Sequence, residues 1–108
     1  MAITNNLTFK AILTTVGRKT GNEHSVWAKA VTYNDRIYFS RRNANSDLLK
    51  NAIANPNVRV EFDGKKFSGN ARLVDDEGLT RKISSIKYTD KERQEEYRIV
   101  LEISIYAE

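Results

Sequence analysis

Cysteine is absent from this 108-residue chain, and histidine occurs once, as His24. The first absence removes disulfides, thiolate metal sites, iron–sulfur clusters and a cysteine nucleophile. A single histidine cannot build a multi-histidine zinc or non-haem iron site within one chain, and carboxylates alone suit only hard cations, so no metal is expected. Long apolar runs are missing too: none approaches the length of a membrane span, and residues 1–10 lack the apolar core of a signal peptide. These absences predict a cytoplasmic protein without a membrane role. No internal repeat, linker or low-complexity stretch divides the sequence, and 12.4 kDa is the mass of one domain. Residues 1–108 are therefore expected to form a single domain, with any site built on one core or shared between copies.

What is present is an ordinary globular composition, 40% hydrophobic and 30% charged, which excludes disorder and collagen-like repeats. The formal charge of +4 is unevenly placed. Residues 1–60 carry 9 basic and 3 acidic side chains, whereas residues 61–108 carry 9 basic and 11 acidic. The cations of the first half gather in two short segments, Arg18-Lys19 and Arg41-Arg42. Such concentration suits a phosphate or carboxylate better than a long nucleic-acid backbone, where a stripe of contacts supplies affinity.

Residues 9–16 are rich in β-formers and end at Gly17, and Gly17 and Gly21 bracket Arg18-Lys19-Thr20. That turn can expose backbone N–H groups beside two cations. Residues 25–33 alternate, Val26, Ala28 and Ala30 against Trp27, Lys29 and Val31, which predicts a second strand. Asn34-Asp35 is a hairpin signal leading into a third strand over 36–40. Leu48, Leu49, Ala52 and Ile53 then share one helical face within 45–55, stopped by Asn55-Pro56. Val58, Val60 and Phe62 predict a fourth strand, Asp63-Gly64 a hairpin, and Phe67, Gly69, Ala71 and Leu73 a fifth. Asp75-Asp76-Glu77 suits a helix start, with Leu79, Ile83 and Ile86 as its apolar stripe. Thr89 and Glu92 form a capping box for another short helix, and residues 98–106 alternate as a sixth strand. The order β-β-β-α-β-β-α-α-β, with hairpins instead of βαβ units, predicts a mainly β (α+β) fold whose six-stranded antiparallel sheet closes into a barrel.

The run Leu13-Thr14-Thr15-Val16-Gly17-Arg18-Lys19-Thr20-Gly21 resembles the signature turn of the deazaflavin-dependent nitroreductase family, of the pyridoxamine-phosphate-oxidase-like split-β-barrel superfamily. The helix ending Ala52-Ile53-Ala54-Asn55-Pro56-Asn57-Val58, then Arg59-Val60-Glu61 and the Asp63-Gly64 hairpin, is similar to that family's helix-to-strand passage. The resemblance covers about residues 9–75. It implies an FMN-binding type of split barrel, a homodimer, and a phosphorylated flavin or deazaflavin (FMN or coenzyme F-420) at the subunit interface. It further implies that Arg18, Lys19 and Thr20 hold the phosphate-bearing tail, with His24 where many members carry an arginine, Ser25 and Val26 beside the cofactor, and Thr15 among the cofactor-binding residues. Ser40, Arg41 and Arg42, and then Asn45, Ser46 and Leu48 at the helix start, would run beside the ring. Members often place an aromatic residue and a proline there, where this chain has Ser46-Asp47-Leu48.

These readings lead to a flavin- or deazaflavin-binding oxidoreductase of nitroreductase or quinone-reductase type. The cofactor would perform the hydride chemistry on a small-molecule electron acceptor, and no catalytic side chain is marked. The alternative is a non-catalytic module binding a flavin or another phosphorylated ligand; nucleic-acid binding is the weakest of the three. Trp27 is expected at a subunit interface, and Tyr88, Tyr97 and Tyr106 as packing residues.

Overall fold

The computed structural model describes residues 5–41, 46–95 and 98–106. Its elements are β1 (Thr8–Val16), β2 (Glu23–Tyr33), β3 (Arg36–Arg41), α1 (Asp47–Ala54), β4 (Asn57–Phe62), β5 (Lys65–Leu73), α2 (Glu77–Lys87), α3 (Lys91–Glu95) and β6 (Ile99–Ile105). The strands are antiparallel and close in the order β1-β2-β3-β6-β5-β4. The expected six-stranded barrel is thus the observed one. The two strand-linking turns that sequence marks, Asn34-Asp35 and Asp63-Gly64, place all four residues at φ between 50° and 72°. That is the left-handed geometry whose twist matches a two-residue hairpin.

Alternation along each strand divides the apolar residues between two cores. Ala11, Leu13, Ala30, Ile37, Phe39, Val60, Leu101 and Ile103 fill the barrel, and Leu48, Leu49 and Ala52 of α1 pack into the same cluster. On the outer surface, Ile83 of α2 packs with Val31, Tyr38 and Val100. α2 is capped by Asp76, whose carboxylate accepts from Leu79 N–H at 3.2 Å. α3 departs from expectation: Asp90, not Thr89, caps it, accepting from Arg93 N–H at 2.6 Å. A carboxylate is the stronger acceptor for an exposed N–H at a helix start.

One irregularity of the sheet shapes the site. β2 pairs with β1 from Glu23 to Val31, but with β3 only over Val31–Tyr33. β3 continues to Arg41 beside β6. The first part of β2 and the last part of β3 therefore diverge, and a cleft opens between them. Among the described residues no helix is long and apolar enough to cross a membrane.

Candidate functional site

β1 ends at Val16, and the chain turns back into β2 through residues 17–22. Gly17 N–H donates to Asn22 O at 2.7 Å and Gly21 N–H to Gly17 O at 2.9 Å. Arg18 N–H reaches Asn51 Oδ1 at 3.3 Å. With Asn22 N–H on Thr20 Oγ1 at 3.2 Å, four of the turn's amides are already engaged, so the donors it offers come chiefly from side chains, unlike the row of open N–H groups that the sequence suggested. Gly17 is closely approached: a Cβ there would stand 2.8 Å from His24 Nε2 and 2.9 Å from Thr20 Oγ1, so those side chains would have to shift.

The Arg18 guanidinium is held against α1. Its Nη1 donates to Asn51 Oδ1 at 2.7 Å, and its Nη2 to Asp47 Oδ1 at 3.3 Å. Residues 47 and 51, one helical turn apart, thus grip the arginine from the same face of α1. Thr15, Arg18, Lys19, Thr20, His24, Val26 and Leu48, all candidates from sequence, line one cavity of about 390 Å³ together with Gly17, Asp47 and Asn51. Thr15 is fully buried, and its Oγ1 has no hydrogen-bond partner among the described residues. A buried hydroxyl without a partner is costly.

The other candidates are placed elsewhere. Ser25 bonds Thr14, Oγ to Oγ1, at 2.7 Å and does not line the cavity. Ser46 occupies the N-cap of α1 without a side-chain capping bond. Ser40 is buried and accepts from Lys87 Nζ at 2.8 Å. Arg42 and Asn45 lie outside the described residues, as does Tyr97.

Arg41 lines a second cavity of about 720 Å³, at the divergence of β2 and β3, with Lys10, Trp27, Ala28, Lys29, Lys87 and Tyr88. Val26 lines the first cavity and Trp27 the second, although the two residues follow one another on β2. Among the described residues, four cations and no carboxylate line the second. Burial pushes the Lys87 amine below its usual range, and neighbouring Arg98 and Arg41 add to this. Burial alone would raise the Tyr88 phenol, but the charge and hydrogen bonding of Lys87 and Arg98 outweigh it and bring the phenol below its usual range. Tyr88 is thus a cavity-lining group where packing was expected. Tyr106 is 48% exposed and donates to Asn57 Oδ1 at 3.0 Å.

A third groove, of about 750 Å³, runs past Leu49, Ile53, Leu73 and the acidic start of α2. Two of its carboxylates are engaged, Asp76 in the helix cap and Glu77 with Arg81 at 2.8 Å.

A family profile described as F420H(2)-dependent quinone reductase matches residues 3–100. Among solved structures, an F420-H2 dependent reductase superposes with a TM-score of 0.68 at 18% identity, covering 95% of this chain and 98% of the other. A provisionally assigned pyridoxamine 5′-phosphate oxidase from Listeria innocua gives a TM-score of 0.65 at 18% identity, over 91% and 84% of the two chains. A chain solved as a domain-swapped dimer gives 0.71 at 18% identity, over 95% and 84%. No curated protein matches the sequence. At these identities the solved structures establish the split-barrel fold alone.

Proposed function

This chain belongs to the F420H(2)-dependent quinone reductase family, and from that premise we propose that it is a deazaflavin-dependent reductase of quinone-like acceptors. The cavity at the 17–21 turn takes the cofactor's phosphate-bearing tail, and the cleft between β2 and β3 takes its ring and the acceptor. The observation that carries this reading is the unpartnered Thr15 Oγ1 in a cavity lined by Arg18 and Lys19. A phosphate supplies an acceptor for a buried hydroxyl and the negative charge that two cations favour.

When bound, a reduced deazaflavin supplies the hydride. The residues of this chain do the rest. Asn51 holds Arg18 in place for the tail, and Thr15, Lys19 and Thr20 complete the donor set. In the cleft, Lys29, Arg41 and Lys87 favour negative charge as it develops on an acceptor oxygen. Trp27, 70% exposed, offers an indole beside that cleft.

FMN is the second cofactor candidate, because the donors recognise a phosphate that both groups carry. A homodimer is also part of the proposal: Ile12 and Trp27 are opposite one another in the β1–β2 pair, and the exposed indole favours burial against a second copy.

Fluorescence titration with coenzyme F-420 and with FMN, followed by quinone reduction with the pre-reduced cofactor, tests the reading. Binding of the deazaflavin with turnover of a quinone is expected. Tight binding without electron transfer would select the non-catalytic module. No binding of either cofactor at micromolar concentration would overturn both.

A further inference from the structure

We infer that Asp47 sets the charge selectivity of the tail cavity: its carboxylate occupies Arg18 until a ligand phosphate displaces it, and it disfavours a doubly charged phosphate more than a singly charged one. This deepens the cofactor reading above and rests on it.

Arg18 has two partners on α1, and they are unlike. Asn51 is a buried amide that binds both the Nη1 and the backbone N–H of Arg18, at 2.7 and 3.3 Å. Asp47 meets Nη2 at 3.3 Å with its side chain 83% exposed. Ion pairs that exposed are weak and readily exchanged. The guanidinium therefore stays where Asn51 holds it when the carboxylate leaves. An arginine has five N–H donors, so the group released by Asp47, with those still unused, can receive a phosphate in a fixed orientation.

Asp47 also opens α1, where partial positive charge from the helix backbone favours an anion. Ser46 supplies no side-chain cap there, so the Asp47 carboxylate is the anion built into the first turn. A ligand phosphate would enter a cavity whose cations are Arg18 and Lys19 and whose carboxylate is Asp47. Repulsion by that carboxylate grows with ligand charge. The phosphomonoester of FMN places about −1.5 to −2 at the phosphate near neutral pH, whereas the phosphodiester of coenzyme F-420 places a single charge there and carries its glutamate carboxylates several bonds further on, where solvent and salt screen them from Asp47. Asp47 thus biases a site that recognises both groups toward the diester.

The test compares the wild-type chain with Asp47→Asn and Asp47→Ala by fluorescence titration. The probes are FMN, riboflavin, coenzyme F-420 and deazariboflavin, which lacks the phosphate tail. Circular dichroism checks that all three proteins share one fold. Both substitutions should tighten FMN about fivefold, the size of effect a surface charge pair delivers. F-420 should tighten less, and riboflavin and deazariboflavin should not change. Equal shifts for FMN and riboflavin, or an unchanged FMN affinity in both variants while the wild type binds F-420, would overturn the role of Asp47 and leave the cofactor reading standing. Failure of all three proteins to bind any probe would overturn that reading and this inference together.

Discussion

Arg18 and Asn51 are joined twice through one oxygen: Asn51 Oδ1 accepts from Arg18 Nη1 at 2.7 Å and from Arg18 N at 3.3 Å. The turn after β1 and the helix over the barrel end are thereby fixed to each other across 33 positions of sequence. Replacing Asn51 by Leu keeps the branching of the side chain and removes the acceptor. The variant should lose about 1–2 kcal/mol of stability, because a part-buried guanidinium bond and a backbone bond both lose their partner. Urea unfolding measures that loss. The same substitution should weaken cofactor binding, because Arg18 is no longer pre-positioned; an unchanged affinity would show that Arg18 needs no support from α1.

Gly17→Ala makes the opposite pairing of effects. The backbone of Gly17 accepts an alanine, so stability should change by no more than about 1 kcal/mol. The added Cβ, however, would stand 2.8 Å from His24 Nε2 and 2.9 Å from Thr20 Oγ1, and both side chains line the cavity. Binding of a phosphorylated cofactor should fall about tenfold, which is ~1.4 kcal/mol. Titration alongside thermal unfolding separates the two quantities. Equal losses in both would point to misfolding of the turn.

Local chemistry made much of this molecule readable. Asn34-Asp35 and Asp63-Gly64 announce their turns because few residues tolerate positive φ, and their flanking alternation fixes which side chains enter the barrel. The 17–21 turn was legible for a similar reason, since glycines bracket its cations. Asn51 was not, because an asparagine inside a short helix carries no sign that it will bind a turn 33 residues earlier. Lys87 and Tyr88 were hidden more deeply. They stand at the end of α2, and only the packing of Ile83 on Val31 and Val100 brings them to Ser40 and to the β2–β3 cleft. Alternation could not reveal that cleft either, because it arises where β2 and β3 stop pairing.

The Lys87–Tyr88 pair makes a spectroscopic prediction. Tyr88 is held below its usual range although burial opposes this, because Lys87 and Arg98 place charge and hydrogen bonds on the phenol. Their cations also sit 5.3 and 5.0 Å from the ring centroid. Lys87→Met should therefore raise the titration of Tyr88, by removing the first of those charges. Ultraviolet difference titration, with Tyr88→Phe as the subtraction reference, reads it directly. A Tyr88 curve that does not move would mean that Arg98 alone sets its acidity.

Tyr38 shows the reverse shift and links it to stability. Its phenol donates to Glu102 Oε2 at 2.8 Å, and Glu102 is also met by Arg72 at 3.1 Å and Arg36 at 3.5 Å. Burial, and then the bond and charge of Glu102, hold the phenol well above its ordinary value of 10.0. In the unfolded chain Tyr38 ionises near that ordinary value, while in the folded chain it keeps its proton. Above it the unfolded state therefore binds fewer protons than the folded one, so the stabilisation from this group is complete below about pH 10 and declines as pH rises toward the folded value. Tyr38→Phe should remove that part of the alkaline slope. At neutral pH it should also cost about 1–2 kcal/mol, the penalty for withdrawing one donor from a buried carboxylate that keeps its arginines. Urea unfolding of both proteins at neutral pH and above pH 10 measures the two effects together. Parallel losses at every pH would place the alkaline sensitivity in another tyrosine, since only the difference between wild type and Tyr38→Phe belongs to this phenol.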